Sequence, residues 1–418
     1  MDTTVAGRAL MGDSLGFHII IALLSIGIPF LLNIFEFYYV RNKTPKVLDF
    51  VHLLSRWSVV LAVAGVMSGT IISMQFTILW APFLAASRPY VGKFFMLETY
   101  AFLVEAIFLA WYMVSWNKVS AFKHWLIGLP ITIGAIGSAF FITIINAWMN
   151  NPSEIITSTT WLEITHSVSA YLFATVLLVM GYIAWRIWRS KTTSKFPQWL
   201  LARLGLIGFG LLLIVAELGH QSAVNLATTQ PAKLAAIEIL DNSQTSAPLR
   251  IGGSINSQGK AEGGIVLPGM LSLLAGYSFD YKVHGLDEIQ RDKWPMLVIH
   301  SLFDIKMALV GLTSALIIGT VIFYWKFKRQ PKWFIKLLAI SGIAGIIMVE
   351  LGWMMTELGR QPWAIHGIML TKDAFTKNIN ALQIGYIFPV MFVVLLSAMF
   401  FALTKVSNHW RKESKSKW

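Results

Sequence analysis

Apolar residues in this chain come in long, nearly unbroken stretches rather than in the alternation of a half-buried strand or the three-to-four spacing of a surface helix. A helix needs about 20 apolar residues to cross the hydrocarbon core of a bilayer. Nine stretches reach that length, at residues 15–37, 53–79, 94–117, 124–149, 164–188, 199–219, 298–325, 334–357 and 380–404. The pattern predicts an all-α integral membrane protein, a bundle of nine transmembrane helices, because only helices satisfy their own backbone hydrogen bonds in lipid. The first stretch exceeds a signal-peptide core and lacks a small-residue cleavage pattern, so it is predicted to be retained.

Connections are short except for one between the sixth and seventh stretches. The chain therefore divides into residues 1–218 with six helices, a long loop at 219–297, and residues 298–418 with three helices and a basic tail. Within the loop, "TTQPAKLAAIEIL" starts at a proline and predicts a short amphipathic helix carrying Lys233 and Glu238. The following "DNSQTSAPLRIGGSINSQGKAEGG" is polar and rich in Gly and Ser, and is expected to be mobile and to bury no core. No internal repeat is visible, which argues against the inverted-repeat transporters.

Composition agrees with the pattern: 56% of the 418 residues are apolar and 13% charged, far from the soluble average. The net charge of +13 would suit nucleic acid if it were clustered on one face, but its distribution is a topology signal instead. Arg41, Lys43 and Lys46 follow the first stretch, Lys118 and Lys123 the third, and Arg186, Arg189, Lys191 and Lys195 the fifth. Lys326, Lys328, Arg329 and Lys332 follow the seventh, and Lys405, Arg411, Lys412, Lys415 and Lys417 close the chain. The connection after the fourth, "NNPSEIITSTTWLE", has no Lys or Arg. Basic loops face the cytoplasm, so a multi-pass cell-membrane protein is predicted with its N-terminus outside, its C-terminus inside and the long loop outside. The absence of cysteine removes disulfides, thiolate-bound clusters and covalently attached c-type haem.

Ionisable residues within apolar stretches are costly and mark functional candidates. His18, His166 and Met307 all fall toward the outer side of the bilayer. An imidazole and a thioether form an axial pair for a low-spin haem, although a lone buried His or Met is more often a packing residue. His300 lies two turns before Met307 on one face and competes with it. Glu98 and Glu105 are seven residues apart, hence on one helix face about 10.5 Å apart, a spacing that suits proton relay or a hydrogen-bonded structural pair. Glu350 and Glu357 repeat that spacing, with Arg360 and Pro362 just beyond. Lys233 and Glu238 have the bland reading of solvated charges on an exposed helix.

Three motifs add a resemblance. "GRQPW" (Gly359 to Trp363), preceded by Glu357 and by "GW" at Gly352 and Trp353, "NAWMNNP" (Asn146 to Pro152) and "QPAKLAAIE" (Gln230 to Glu238) occur in this order. Together with nine spans and a long sixth-to-seventh connection, they resemble the haem-bearing large subunit of cytochrome bd-type quinol oxidases over nearly the whole chain. The resemblance implies haem b558, haem b595 and haem d, or a second high-spin haem b in place of d. It implies His166 and Met307 as ligands of haem b558, and His18 and Glu357 as ligands at the two high-spin haems. Glu98 and Glu105 match the family's acidic proton-path pair, Arg8, Asn146, Trp353 and Arg360 match positions near the haems, and Lys233 and Glu238 match quinol-site residues of its Q loop. The implied activity is quinol oxidation at the outer face coupled to reduction of O2 to water with cytoplasmic protons, building a membrane potential without pumping. The implied partners are a smaller membrane subunit II, ubiquinol or menaquinol, O2 and the lipid bilayer, and no nucleic acid.

The segment "FDIKMALVG" departs from the family pattern, carrying Asp304, Ile305 and Lys306 where many members place an arginine two residues before the methionine. The loop is of the short kind. Rival readings fit less well. A haem-copper oxidase needs a histidine cluster, whereas the nine histidines here scatter over the helices and loops. Another quinol-linked b-type cytochrome pairs histidines along shared helices, and none are so paired. A secondary transporter using the buried carboxylates would contain no haem.

Overall fold

The computed structural model describes residues 3–190 and 194–413. Lys191, Lys415 and Lys417 of the basic stretches lie outside the described residues, as do the side chains of Arg411 and Lys412. Among the described residues there are nine helical spans long and apolar enough to cross a membrane. Six come first: α1 (Thr3–Asn42), α2 (Pro45–Leu79), α3 (Ala81–Val114), α4 (Ala121–Asn150), α5 (Ser158–Ser190) and α6 (Lys195–Thr229). After the short α7 (Pro231–Ile237) the long connection follows, with strands β1 (Leu249–Ile251), β2 (Ser254–Ile255), β3 (Ala261–Glu262), β4 (Ile265–Leu267) and helix α8 (Met270–Gly276). The last three spans are α9 (Val298–Phe327), the pair α10 (Lys332–Leu338) and α11 (Ser341–Arg360), and the pair α13 (Ile379–Gly385) and α14 (Ile387–Glu413). Between α11 and α13, β5 (Trp363–Ile365) pairs with β6 (Met369–Leu370), and α12 (Thr371–Ala374) follows.

The helices outrun the apolar stretches that predict them. α1, at 40 residues, is about 60 Å long, so its ends project well beyond a core of about 30 Å. Likewise α5 starts at Ser158, which places His166 two turns inside the helix rather than at its opening.

Small residues bring together the helices on which the site is built. A Cβ at Gly342 would lie 2.7 Å from Leu178 Cα, and one at Gly134 would lie 2.7 Å from the Ala101 carbonyl, so α11 rests directly on α5 and α4 on α3. Such backbone approach substitutes in lipid for the hydrophobic effect. The break between α10 and α11 falls beside the first of these contacts, where the Ser341 hydroxyl donates to the carbonyls of Leu177 and Leu338.

The long loop is more ordered than its composition suggests. β1 pairs antiparallel with β4 and β2 with β3, one hairpin nested inside the other. Gly252, Gly253, Gly263 and Gly264 all have positive φ, and a Cβ at Gly264 would sit 2.3 Å from the Gly252 carbonyl oxygen. The glycines that suggested mobility are what the tight crossing of the hairpin requires. A second core forms beneath it from Ala227, Leu234 to Ile237, Leu240, Ala247, Leu271, Val283, Leu286, Ile299 and Met355. Hence α7 is not an exposed amphipathic helix: it is buried all round, with Lys233 and Glu238 themselves only 7% and 6% exposed.

Candidate functional site

Because consecutive spans alternate in direction, the starts of α5 and α9 meet the ends of α4, α6 and α11 at one end of the bundle, beneath the long loop. Most of the candidate chemistry gathers there.

His166 on α5 has its Nδ1 buried, close to the Val215 backbone of α6 but without a well-aligned hydrogen bond to it. Gly219 of α6 leaves room for the ring, since a Cβ there would lie 3.3 Å from His166 Cε1. On α9 it is Lys306 that reaches inward: a Cβ at Gly352 of α11 would lie 3.3 Å from its Nζ, and its charge acts on His166. Met307 points away and is 48% exposed, so the expected pair of His166 and Met307 is not brought together. His300, the alternative, is committed elsewhere. Its Nδ1 faces the Ile237 carbonyl at 2.6 Å and its Nε2 the Gly252 carbonyl at 3.1 Å, which ties α9 to the loop.

A second group lies between α1, α2 and α11. His18 Nδ1 is 2.9 Å from Ser68 Oγ, an orienting contact of the kind that fixes a ligating imidazole. Glu350 faces α1 at Gly16, where a Cβ would lie 3.2 Å from its Oε2, and its Oε1 is buried without a partner. Beside it, Trp353 Nε1 donates to Tyr171 Oη at 2.7 Å.

The third group is a polar network at the end of α11. Asn146 Nδ2 donates to Glu357 Oε1 at 2.7 Å, and Arg360 Nη2 donates to Glu357 Oε2. Arg360 Nη1 donates to Asn150 Oδ1 at 3.3 Å, and Asn150 Nδ2 reaches Asn146 Oδ1 at 3.2 Å and Glu163 Oε1 at 3.3 Å. Lys233 enters the network from the loop, its stem packed on Gly359, where a Cβ would lie 2.8 Å from Lys233 Cε. Burial pulls the Lys233 ammonium down to about 8, with Glu163 and Glu357 opposing the shift and Arg360 adding to it. His366, on the turn between β5 and β6, is pushed down by burial and by the cations Arg360 and Lys233.

Glu238 stands apart from Lys233. Burial raises its carboxyl to about 8, and the nearby Asp304 carboxylate adds to the rise. Asp304 accepts a hydrogen bond from the Gly252 amide at 2.7 Å. An open cleft of about 470 Å³ lies nearby, lined by Thr228, Pro231, Tyr281, His284 and Glu288, with neither Lys233 nor Glu238 on its wall. Arg8 donates to Met296 Sδ at 3.0 Å at the start of α9 and touches none of the carboxylates.

Glu98 and Glu105 lie along the α3–α4 contact: Glu98 accepts from Ser138 Oγ at 2.8 Å and Glu105 is 4% exposed. One further step of seven on α3 reaches Tyr112, whose hydroxyl donates to Glu36 Oε2 at 2.9 Å while His124 Nδ1 meets Glu36 Oε1 at 2.6 Å. This buried Glu36–Tyr112–His124 cluster, at the basic end of the bundle, escaped the sequence reading, as did Glu163. The signal for Glu163 was present, a carboxylate three residues before His166 on the same face of α5.

Unpartnered buried imidazole and carboxylate atoms, next to glycines where any side chain would intrude, fit planar macrocycles with iron to be ligated. Comparison with known proteins agrees. A family model described as "Cytochrome bd terminal oxidase subunit I" matches residues 6–413. A "Putative cytochrome bd menaquinol oxidase subunit I" of Bacillus subtilis is 31% identical, with 96% of each chain covered. The "Cytochrome bd-II ubiquinol oxidase subunit 1" of Escherichia coli is 24% identical over 92% of this chain and 91% of its own. The solved bd oxidase of Geobacillus thermodenitrificans superposes with a TM-score of 0.90 at 27% identity, covering 98% of this chain and 99% of that one.

Proposed function

Since the chain belongs to the cytochrome bd terminal oxidase subunit I family, we propose that it is the haem-bearing subunit of a terminal quinol oxidase in a bacterial cell membrane. It would work with a smaller membrane subunit II, take electrons from menaquinol or ubiquinol, and deliver them to O2. The observation that carries this reading is the meeting of three groups at one end of the bundle: the buried His166, His18 with Glu350, and the Glu357–Arg360 network joined to the loop through Lys233.

The roles divide by position. His166 and a residue of α9 would hold a low-spin haem b558, while His18, Glu350 and Glu357 would serve two high-spin haems, b595 and either d or a second b. The haems would supply one-electron transfer and the reduction of O2. Arg360 offsets carboxylate charge in a low-dielectric setting, and Asn146 and Asn150 hold Glu357 in one orientation. Glu238, mostly protonated because it is buried, is suited to accept a hydrogen bond from a quinol head group through its carbonyl oxygen, its ionised fraction to take the quinol proton, and Lys233 connects that region to the Glu357 network.

The sequence Tyr112, Glu105, Glu98 along α3 runs from the basic end toward the middle of the bundle. With the basic end cytoplasmic, it is a route for the protons that O2 reduction consumes, and the resulting charge separation needs no pump. Reconstitution of the two-subunit complex in vesicles tests the reading: quinol should drive O2 consumption and build a potential. A haem-loaded complex that consumes no O2 with either quinol would overturn it.

A further inference from the structure

We propose that Lys306, rather than its neighbour Met307, is the α9 side chain that completes the axial pair with His166. The inference rests on the haem reading above and identifies which side chain of α9 faces that group. Adjacent residues of a helix point about 100° apart, so only one of the two can face α5 and α11. Met307 shares a face with the buried His300 but is itself 48% exposed, whereas the face of Lys306 stays buried along the helix. Ile299, Thr313 and Thr320 are each fully buried and stand at steps of seven, and Lys306 is the missing step of that series. The Lys306 amine lies where a side chain on Gly352 would meet it, within electrostatic reach of His166. Met307 faces outward.

The amine is also unexplained by the protein around it. No hydrogen bond or ion pair from the described residues engages Lys306 Nζ, and a half-buried ammonium within a membrane span is disfavoured without such a partner. A neutral amine has a lone pair to donate, and the His166 ring, whose Nδ1 side lies against Gly219 and the Val215 backbone of α6, keeps Nε2 as the nitrogen to offer. Iron between them would satisfy both. His300 cannot take this place, because both of its ring nitrogens are occupied by loop carbonyls.

Replacing a thioether by an amine changes the chemistry in a measurable way. Methionine ligation raises a haem's potential, whereas an amine is a harder donor that favours the ferric state. A ferric haem ligated by methionine also shows a far-red sulfur-to-iron charge-transfer band, which an amine-ligated haem lacks.

The test uses the purified two-subunit complex, with ferric absorption, magnetic circular dichroism and redox titration as readouts. Wild type should be low-spin without the sulfur band, and Met307→Leu should leave both spectrum and midpoint potential unchanged. Lys306→Met should gain the sulfur band and a higher midpoint, and Lys306→Ala should turn this haem high-spin. A sulfur band in wild type that disappears in Met307→Leu would overturn the assignment, as would an unchanged low-spin spectrum in Lys306→Ala. Should Lys306→Ala fail to assemble, wild type and Met307→Leu still decide. The absence of any low-spin haem from wild type would instead overturn the haem reading itself.

Discussion

Replacing Glu357 by Gln removes one charge from the network at the end of α11 while keeping its shape. In the native protein Glu357 accepts from Asn146 Nδ2 at 2.7 Å and from Arg360 Nη2, and the Arg360 side chain is only 3% exposed. Breaking a wholly buried ion pair costs about 3–5 kcal/mol, because the surviving charge is left unpaired. Two features reduce that figure here. The Glu357 side chain is 33% exposed, so solvent screens part of the interaction, and Glu163 remains within electrostatic reach of Arg360. A loss of about 1–2 kcal/mol is the expected outcome, with Glu357→Ala adding about 1 kcal/mol for the orphaned Asn146 amide. Thermal unfolding of the purified complex, followed by tryptophan fluorescence, should show Glu357→Gln melting earlier than wild type. The double variant Glu357→Gln/Arg360→Gln should recover much of the difference, since it removes the unpaired guanidinium as well. Additivity of the two single variants within about 0.5 kcal/mol would refute this account of the pair. The high-spin haem spectrum should shift in Glu357→Gln, and a normal spectrum with full O2 consumption would reduce Glu357 to a helix-end structural residue.

Other consequences can be checked alongside. His166→Ala should abolish the low-spin haem signal while the protein still inserts, as judged by difference spectra of isolated membranes. Glu238→Gln should raise the quinol KM or lower turnover with all haem spectra intact. Glu238 has a carboxyl raised to about 8 in the folded loop against about 4.3 in an unfolded chain. Its contribution to loop stability is therefore fully present below about pH 4 and is lost as pH rises through about 8. The protection factors of the α7 amides, which correct for the intrinsic pH dependence of exchange, should accordingly fall across that window, and Glu238→Gln should flatten their dependence. At Gly134, a change to Val should weaken the α3–α4 contact and perturb O2 reduction through Glu98 and Glu105 without altering the low-spin haem spectrum.

The spans were legible in the sequence because a bilayer demands long apolar runs, and the pairing of Glu98 with Glu105 followed from helical periodicity alone. Orientation about a helix axis was less accessible. Lys306 and Met307 are neighbours, and only the buried series Ile299, Thr313 and Thr320 decides which of them faces inward. Motif reading favoured the methionine because thioethers are familiar haem ligands. The order of the loop is hidden for another reason: Gly and Ser composition reads as flexibility, whereas the glycines supply positive φ at a nested hairpin. Burial of Lys233 and Glu238 depends on α11, α9 and the hairpin closing over seven residues of helix, and nothing within those seven residues encodes it.

The central claim is that these helices hold haems able to take electrons from quinol. A reduced-minus-oxidised absorption spectrum of the purified complex, recorded under anaerobic conditions with quinol and then with dithionite, tests it most directly. The account predicts a low-spin b-type signal that quinol alone produces, together with high-spin haem features that vanish when O2 is admitted. A pure, folded protein showing no haem absorbance would contradict it and favour a transporter built on the same buried carboxylates.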